Sequence, residues 1–168
     1  VMQQESRIQR VAILDCDVHQ GNGTAAILAD DPTIFTFSIH GEKNFPFRKS
    51  PSNLDIGLDN DTGDAEYLAM LEEGVWRSLA LANPDLVIYL AGADPYAGDR
   101  LGRLALTKAG LLARDRLVLA MCRERDLPVA IVMAGGYAPD VHEIAAIHFQ
   151  TVRLAGELAG VIPVNSQG

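Results

Sequence analysis

The chain has 168 residues, 48% apolar and 21% charged, which suits one domain with its own core, is short for two, and excludes a disordered chain. Its formal net charge of −8 works against a nucleic-acid surface, which needs clustered Lys and Arg, and favours cationic ligands such as lysine side chains or polyamines. No apolar run reaches the roughly 18 residues of a membrane-spanning helix, and two cysteines make no disulfide framework, so a reducing, cytoplasmic setting is expected.

The opening "VMQQESRIQR" has no secretory-type apolar segment. It begins with Val and reads as the polar end of a helix feeding a strand, so the chain is expected to be entered partway through. The first strand, "RVAILDCD" (10–17), is β-branched and continuous enough to be buried on both faces. A short helix is expected in "AAILADD" after Gly23-Thr24, followed by a second buried strand, "TIFTFSIH" (33–40). The segment 41–64, "GEKNFPFRKSPSNLDIGLDNDTGD", has little periodicity and many turn residues. It is expected to be a long loop of the kind that rims a site. A helix follows over 64–82, then the strand "DLVIYLAGAD" (85–94). The next helix, 107–126, has Thr107 as N-cap and Asp126 before Leu-Pro as its stop. A fourth buried strand, "PVAIVMAGG" (128–136), leads into a helix over 139–159 with Pro139 in its first turn. Strands alternating with helices predict an α/β fold with a parallel sheet, as one domain over 1–168.

Ligands of open α/β sheets gather beyond the carboxyl ends of the strands. Three polar motifs fall there: "LDCDVHQGNGT", "LAGADPYAGDRLG" and "VMAGGYAPD". Residues two apart on an extended strand share a face, so Asp15, Asp17 and His19 point one way while Cys16 and Val18 point the other. Asp17 and His19, joined by Asp94 from a neighbouring strand, make a set able to hold a divalent transition metal with open positions. Asp15 reads as orienting a neighbour rather than binding the metal. Taken alone, Asp-x-His at a strand end is more often a capping arrangement, Asp94 caps the turn at Pro95, and Asp99-Arg100 is a turn or ion pair. Cys16 and Cys122 read as core residues. Glycines beside the polar groups shift the balance, because they let the backbone turn sharply or approach a ligand closely. A Gly-Gly-Tyr loop can aim the phenol of Tyr137 at a developing oxyanion.

These motifs, "LDCDVHQGNGT", "GADPYAGDRLGRLALT" and "MAGGYAPD", resemble those of the histone deacetylase family, whose fold is shared with the arginases. The "HQGNG" form with Gln20, "GDRLG" and "AGGY" most resemble the class IV branch and its bacterial relatives, over about 10–160. The resemblance implies a three-layer α/β/α arginase/deacetylase-like fold whose N-terminal strands are missing. It implies a zinc-dependent amidohydrolase that removes acetyl or longer acyl groups from lysine side chains in peptides or from polyamines. It carries zinc ligation, one ion per site, onto Asp17, His19 and Asp94, and carbonyl polarisation onto Tyr137. It gives Asp15 the task of holding a catalytic histidine, and Gly135 and Gly136 a place along the substrate channel. A structural monovalent cation, K⁺, is implied at Asp15, Asp17, His19, Ser38 and Ile39.

An arginase-like pair of metal ions is disfavoured, because the position two past His19 is Gly21, which has no ligand to offer. One departure matters. The family's general base comes from adjacent histidines upstream of the Asp-x-His motif, whereas the histidines here are His19, His40, His142 and His148. His40 resembles a non-catalytic position, and His148 a satisfied or half-buried helix residue. The sequence is therefore expected to be the C-terminal part of such an enzyme, inactive as it stands. The alternative is a stand-alone, non-catalytic metal- or acyl-amine-binding protein.

Overall fold

A computed structural model describes residues 1–163; residues 164–168, which the one-domain expectation includes, lie outside the described residues. The elements in chain order are β1 (Val11–Asp15), α1 (Asn22–Leu28), β2 (Ile34–Gly41), β3 (Leu54–Leu58), α2 (Asp64–Ala82), β4 (Leu86–Gly92), α3 (Lys108–Arg123), β5 (Val129–Ala134) and α4 (Val141–Leu158). The five strands form one sheet in the order β3-β2-β1-β4-β5. Every pairing is parallel, as alternating strands and helices predict. The order runs outward from β1 in both directions, so the chain reverses its winding between β1 and β4. A crevice opens there beyond the strand ends.

Side chains on one face of the sheet (Leu14, Phe37, Ile39, Val87, Tyr89) pack with Tyr67, Leu71 and Val75 of α2, Leu111 and Val118 of α3, and Ile147 and Leu154 of α4 in one buried cluster. The opposite face carries Asp15, Ser38 and His40, all buried. The start of α1 meets that face, with the N–H of Gly21 directed at Ser38 Oγ, 3.4 Å away. The third layer thus consists of the short α1 among the described residues.

Four expectations need correction. The opening segment forms turns over residues 2–6 instead of the end of a helix. The segment 41–64 is not wholly loop, because Leu54–Leu58 adds β3 beside β2. Its alternation of Leu54, Ile56 and Leu58 inward against exposed Asp55 and Gly57 is short and set among turn residues. β5 is not buried on both faces. It is one of the two edge strands, and Val132 and Met133 remain 44% and 61% exposed. Pro139 precedes the last helix rather than joining its first turn. Asp140 is the N-cap, its carboxylate accepting the N–H of His142 at 2.9 Å. Thr107 caps α3 as expected, accepting the N–H of Gly110 at 2.9 Å.

Candidate metal centre

Beyond β1 the backbone turns on its own carboxylates. The N–H of Asp17 donates to Asp15 Oδ1 at 3.0 Å, and the N–H of His19 to Asp17 Oδ1 at 2.9 Å. Such short-range carboxylate-to-amide bonds hold a chain end that no longer has a ladder partner. Asp94, two residues past β4 and fully buried, reaches across to accept the N–H of Val18 at 2.9 Å. The three groups therefore converge. His19 Nδ1 lies 3.0 Å from Asp17 Oδ1 and 3.1 Å from Asp94 Oδ2. One donor atom from each of Asp17, His19 and Asp94 falls within 4.8 Å of the others.

The electrostatics are those of crowded acids around one base. Burial pushes the Asp15 carboxyl up to about 7, against the pull of the Asp17 N–H. Burial also raises Asp94. Hydrogen bonding to Asp17 and then to Asp94 raises His19 to about 10. A site that stabilises a cation this strongly at one point suits a divalent metal, and two carboxylates with an imidazole match the donor set of zinc, iron or manganese. Asp15 stands apart from the converging donors and meets Asp17 through the backbone N–H it accepts.

The fourth strand expected from the sequence, β5, is followed by two glycines with left-handed backbones, Gly135 at φ 49° and Gly136 at φ 124°. Space also requires glycine at 135, because a Cβ there would collide with the Asp94 carboxylate and come 2.6 Å from Asp17 Oδ2. The turn delivers Tyr137 to the same spot, its ring edge-on to His19 with centroids 6.3 Å apart. Beside His19 a cavity of ≈ 200 Å³ is lined by Lys43, Phe45, Phe47, Leu101 and Arg103. Both phenylalanines are exposed and meet edge to face. They belong to the segment expected to rim a site, but neither stood out in the sequence.

The remaining residues singled out from the sequence fall nearby or outside. Ser38 pairs with Asp15 across β1 and β2, followed by buried Ile39, and its hydroxyl meets His40 Nδ1 at 3.0 Å. Burial holds His40 below its ordinary value. Gln20 fixes the rim segment, its amide bonding both backbone groups of Ser50 and the carboxylate of Asp55. His142 and His148 lie on α4, and His148 is half-buried, the second of the two alternatives expected for it, its Nδ1 being buried without a partner among the described residues. Asp99 and Arg100, expected as a turn or ion pair, do form the turn. Each also bonds Tyr137. Arg114, not singled out in the sequence, is fully buried and donates to the carbonyls of Cys16 and Gly92.

Residues 1–152 match the family model for the histone deacetylase domain. An uncharacterized protein of Picosynechococcus sp. is 48% identical over 157 residues, covering 94% of this chain and 52% of that protein. Histone deacetylase 2 of Arabidopsis thaliana is 32% identical over 153 residues, covering 89% of this chain and 40% of its own length. Among solved structures, acetylpolyamine aminohydrolase from Burkholderia pseudomallei superposes with a TM-score of 0.76 at 24% identity, over 94% of this chain and 48% of that one. A homologue from Aquifex aeolicus gives 0.74 at 21% identity, over 94% and 44%. These two likenesses show the arginase/deacetylase fold, and the chain spans between 40% and 52% of the length of the four proteins named above. By the match across residues 1–152, this chain belongs to the histone deacetylase family.

Proposed function

We propose that the chain is the metal-binding, tyrosine-bearing part of a zinc-dependent amidohydrolase that removes acetyl or longer acyl groups from lysine side chains or polyamines. The observation that carries this reading is the convergence of Asp17, His19 and Asp94, with Tyr137 edge-on to the imidazole. Asp17, His19 and Asp94 would hold one zinc ion, which when bound supplies a Lewis acid that acidifies water and polarises a carbonyl. The phenol of Tyr137 donates a hydrogen bond to the acyl oxygen as negative charge develops on it. Gly135 and Gly136 line the channel, and Phe45 and Phe47 supply an apolar wall for the chain that bears the acyl group. Asp15, Asp17, His19, Ser38 and Ile39 form the proposed seat of a structural K⁺. The two free, buried cysteines suit a reducing cytoplasm. Attack by water also needs a proton acceptor. Among the described residues His19 is the one histidine that meets Asp17, Asp94 or Tyr137, so the proposal assigns that acceptor to residues beyond this half-length span.

Tyr137→Phe is expected to cut turnover of an acyl-lysine peptide by roughly 10²–10³-fold, the worth of one oxyanion donor, with zinc content unchanged. Full turnover in that variant would remove the phenol from the mechanism. Gly135→Ala is expected to weaken zinc binding by at least about 10–100-fold, since its methyl group displaces both carboxylates. Equilibrium dialysis against zinc reads this directly, and wild-type affinity would show that the carboxylates do not form the site.

The lack of a paired histidine favours a second reading, in which the chain binds metal or an acyl-amine without hydrolysing it. Zinc binding without turnover by the protein purified at its native length would select that reading.

A further inference from the structure

Among the described residues no hydrogen bond holds the Tyr137 side chain, whose ring has the edge-to-face contact with His19. Tyr137 is 45% exposed, and it follows two glycines in left-handed conformations, the residue type that constrains its own backbone least. Two side chains from another loop hold its backbone. The N–H of Tyr137 donates to Asp99 Oδ2 at 2.6 Å, and its carbonyl accepts from Arg100 Nε at 3.1 Å. Charged partners make these the stronger kind of hydrogen bond. Gripping both sides of one residue fixes its orientation as well as its position.

The clamp itself is anchored. Asp99 Oδ1 accepts the N–H groups of Leu101 and Gly102, each at 2.8 Å. Its own N–H donates to the carbonyl of Tyr96 at 2.9 Å, and the N–H of Ala97 to that of Leu106 at 2.8 Å. This loop starts at Asp94, whose carboxylate meets His19. We infer that Asp99 and Arg100 are positioning residues that clamp the peptide groups of Tyr137 and fix its phenol relative to the Asp17–His19–Asp94 cluster. The inference rests on the catalytic role proposed above for Tyr137, but the clamp can be measured without it.

Asp99→Asn tests it selectively. The amide oxygen keeps the bonds to Leu101 and Gly102, while the NH₂ group meets the N–H of Tyr137 donor to donor. Arg100→Leu removes the second contact and leaves Asp99 in place. In the protein purified at its native length, Asp99→Asn is expected to lower kcat on an acyl-lysine peptide by about 10²-fold, the cost of a misplaced catalytic group. KM and bound zinc should not move, and Arg100→Leu should shift kcat in the same direction. In a Tyr137→Phe background Asp99→Asn should cost nothing more, because the clamp acts through the phenol. Hydrogen exchange read by mass spectrometry should show the amides of residues 136–138 exchanging faster in both single variants. Unchanged exchange overturns the clamp, as does an undiminished loss in the Tyr137→Phe background. Should Tyr137→Phe alone turn over normally, the phenol's proposed role fails while the clamp is decided by exchange.

Discussion

Arg114→Leu is expected to destabilise the protein by about 3–5 kcal/mol, the cost of breaking a buried ion pair from one side. Arg114 and Asp115 are 0% and 1% exposed, with Arg114 Nε 2.9 Å from Asp115 Oδ1. Asp115 also accepts from Tyr89 of β4 and Thr151 of α4. Arg114 in turn donates to the carbonyls of Gly92, the last residue of β4, and of Cys16, just past β1. One side-chain network thus ties both helices to the two strand ends that present the Asp17–His19–Asp94 cluster. Leucine fills part of the space but leaves Asp115 buried without its cation and the two carbonyls without their donor. The loss is a large fraction of the roughly 5–15 kcal/mol that holds a domain folded. Urea unfolding should show the midpoint fall, and adding Asp115→Asn should recover part of it by removing the stranded charge. A loss below about 1 kcal/mol, the worth of an exposed pair, would show that the network is not structural.

What could be read from the sequence follows how locally each feature is encoded. Four strands were legible because a β-branched apolar run states its own burial. β3 was not, since Asp55 and Gly57 interrupt its apolar residues and its place depends on pairing with β2. The depth of β5 depends on what packs against it, which the run "PVAIVMAGG" does not contain. Within the site, Asp17, His19, Asp94 and Tyr137 were legible because parallel strands bring their ends to one edge. The turn at Asp99 was also legible, being written in a carboxylate two and three residues before the amides it caps. Its second oxygen reaches Tyr137, 38 residues away, and no local spacing encodes that. Arg114 in "LLARDRL" resembles an ordinary surface charge until the packing of α2, α3 and α4 buries it.

Asp94→Asn is expected to abolish zinc binding at the proposed site while leaving the fold intact. Asparagine has the same shape, and its carbonyl oxygen can keep the bond that Asp94 Oδ1 accepts from the N–H of Val18 at 2.9 Å. The amide nitrogen then stands where Oδ2 faced His19, and it offers hydrogens instead of a lone pair to a metal. Changes to residues that merely support metal ligands cost roughly 10–100-fold in affinity, so losing a direct ligand should exceed about 100-fold. The substitution also replaces a buried carboxylate with a neutral amide, which removes the cost of burying that charge and its repulsion from Asp17, offset by the lost attraction to His19. Thermal unfolding separates these effects. Without metal, the variant should melt at or slightly above the wild-type temperature. With zinc at about 1,000 times its Kd, wild type should gain about 4 kcal/mol by mass action, and the variant almost nothing. Equal zinc-induced stabilisation in both proteins would mean that Asp94 is not a ligand, and the proposed Asp-His-Asp centre would fail with it.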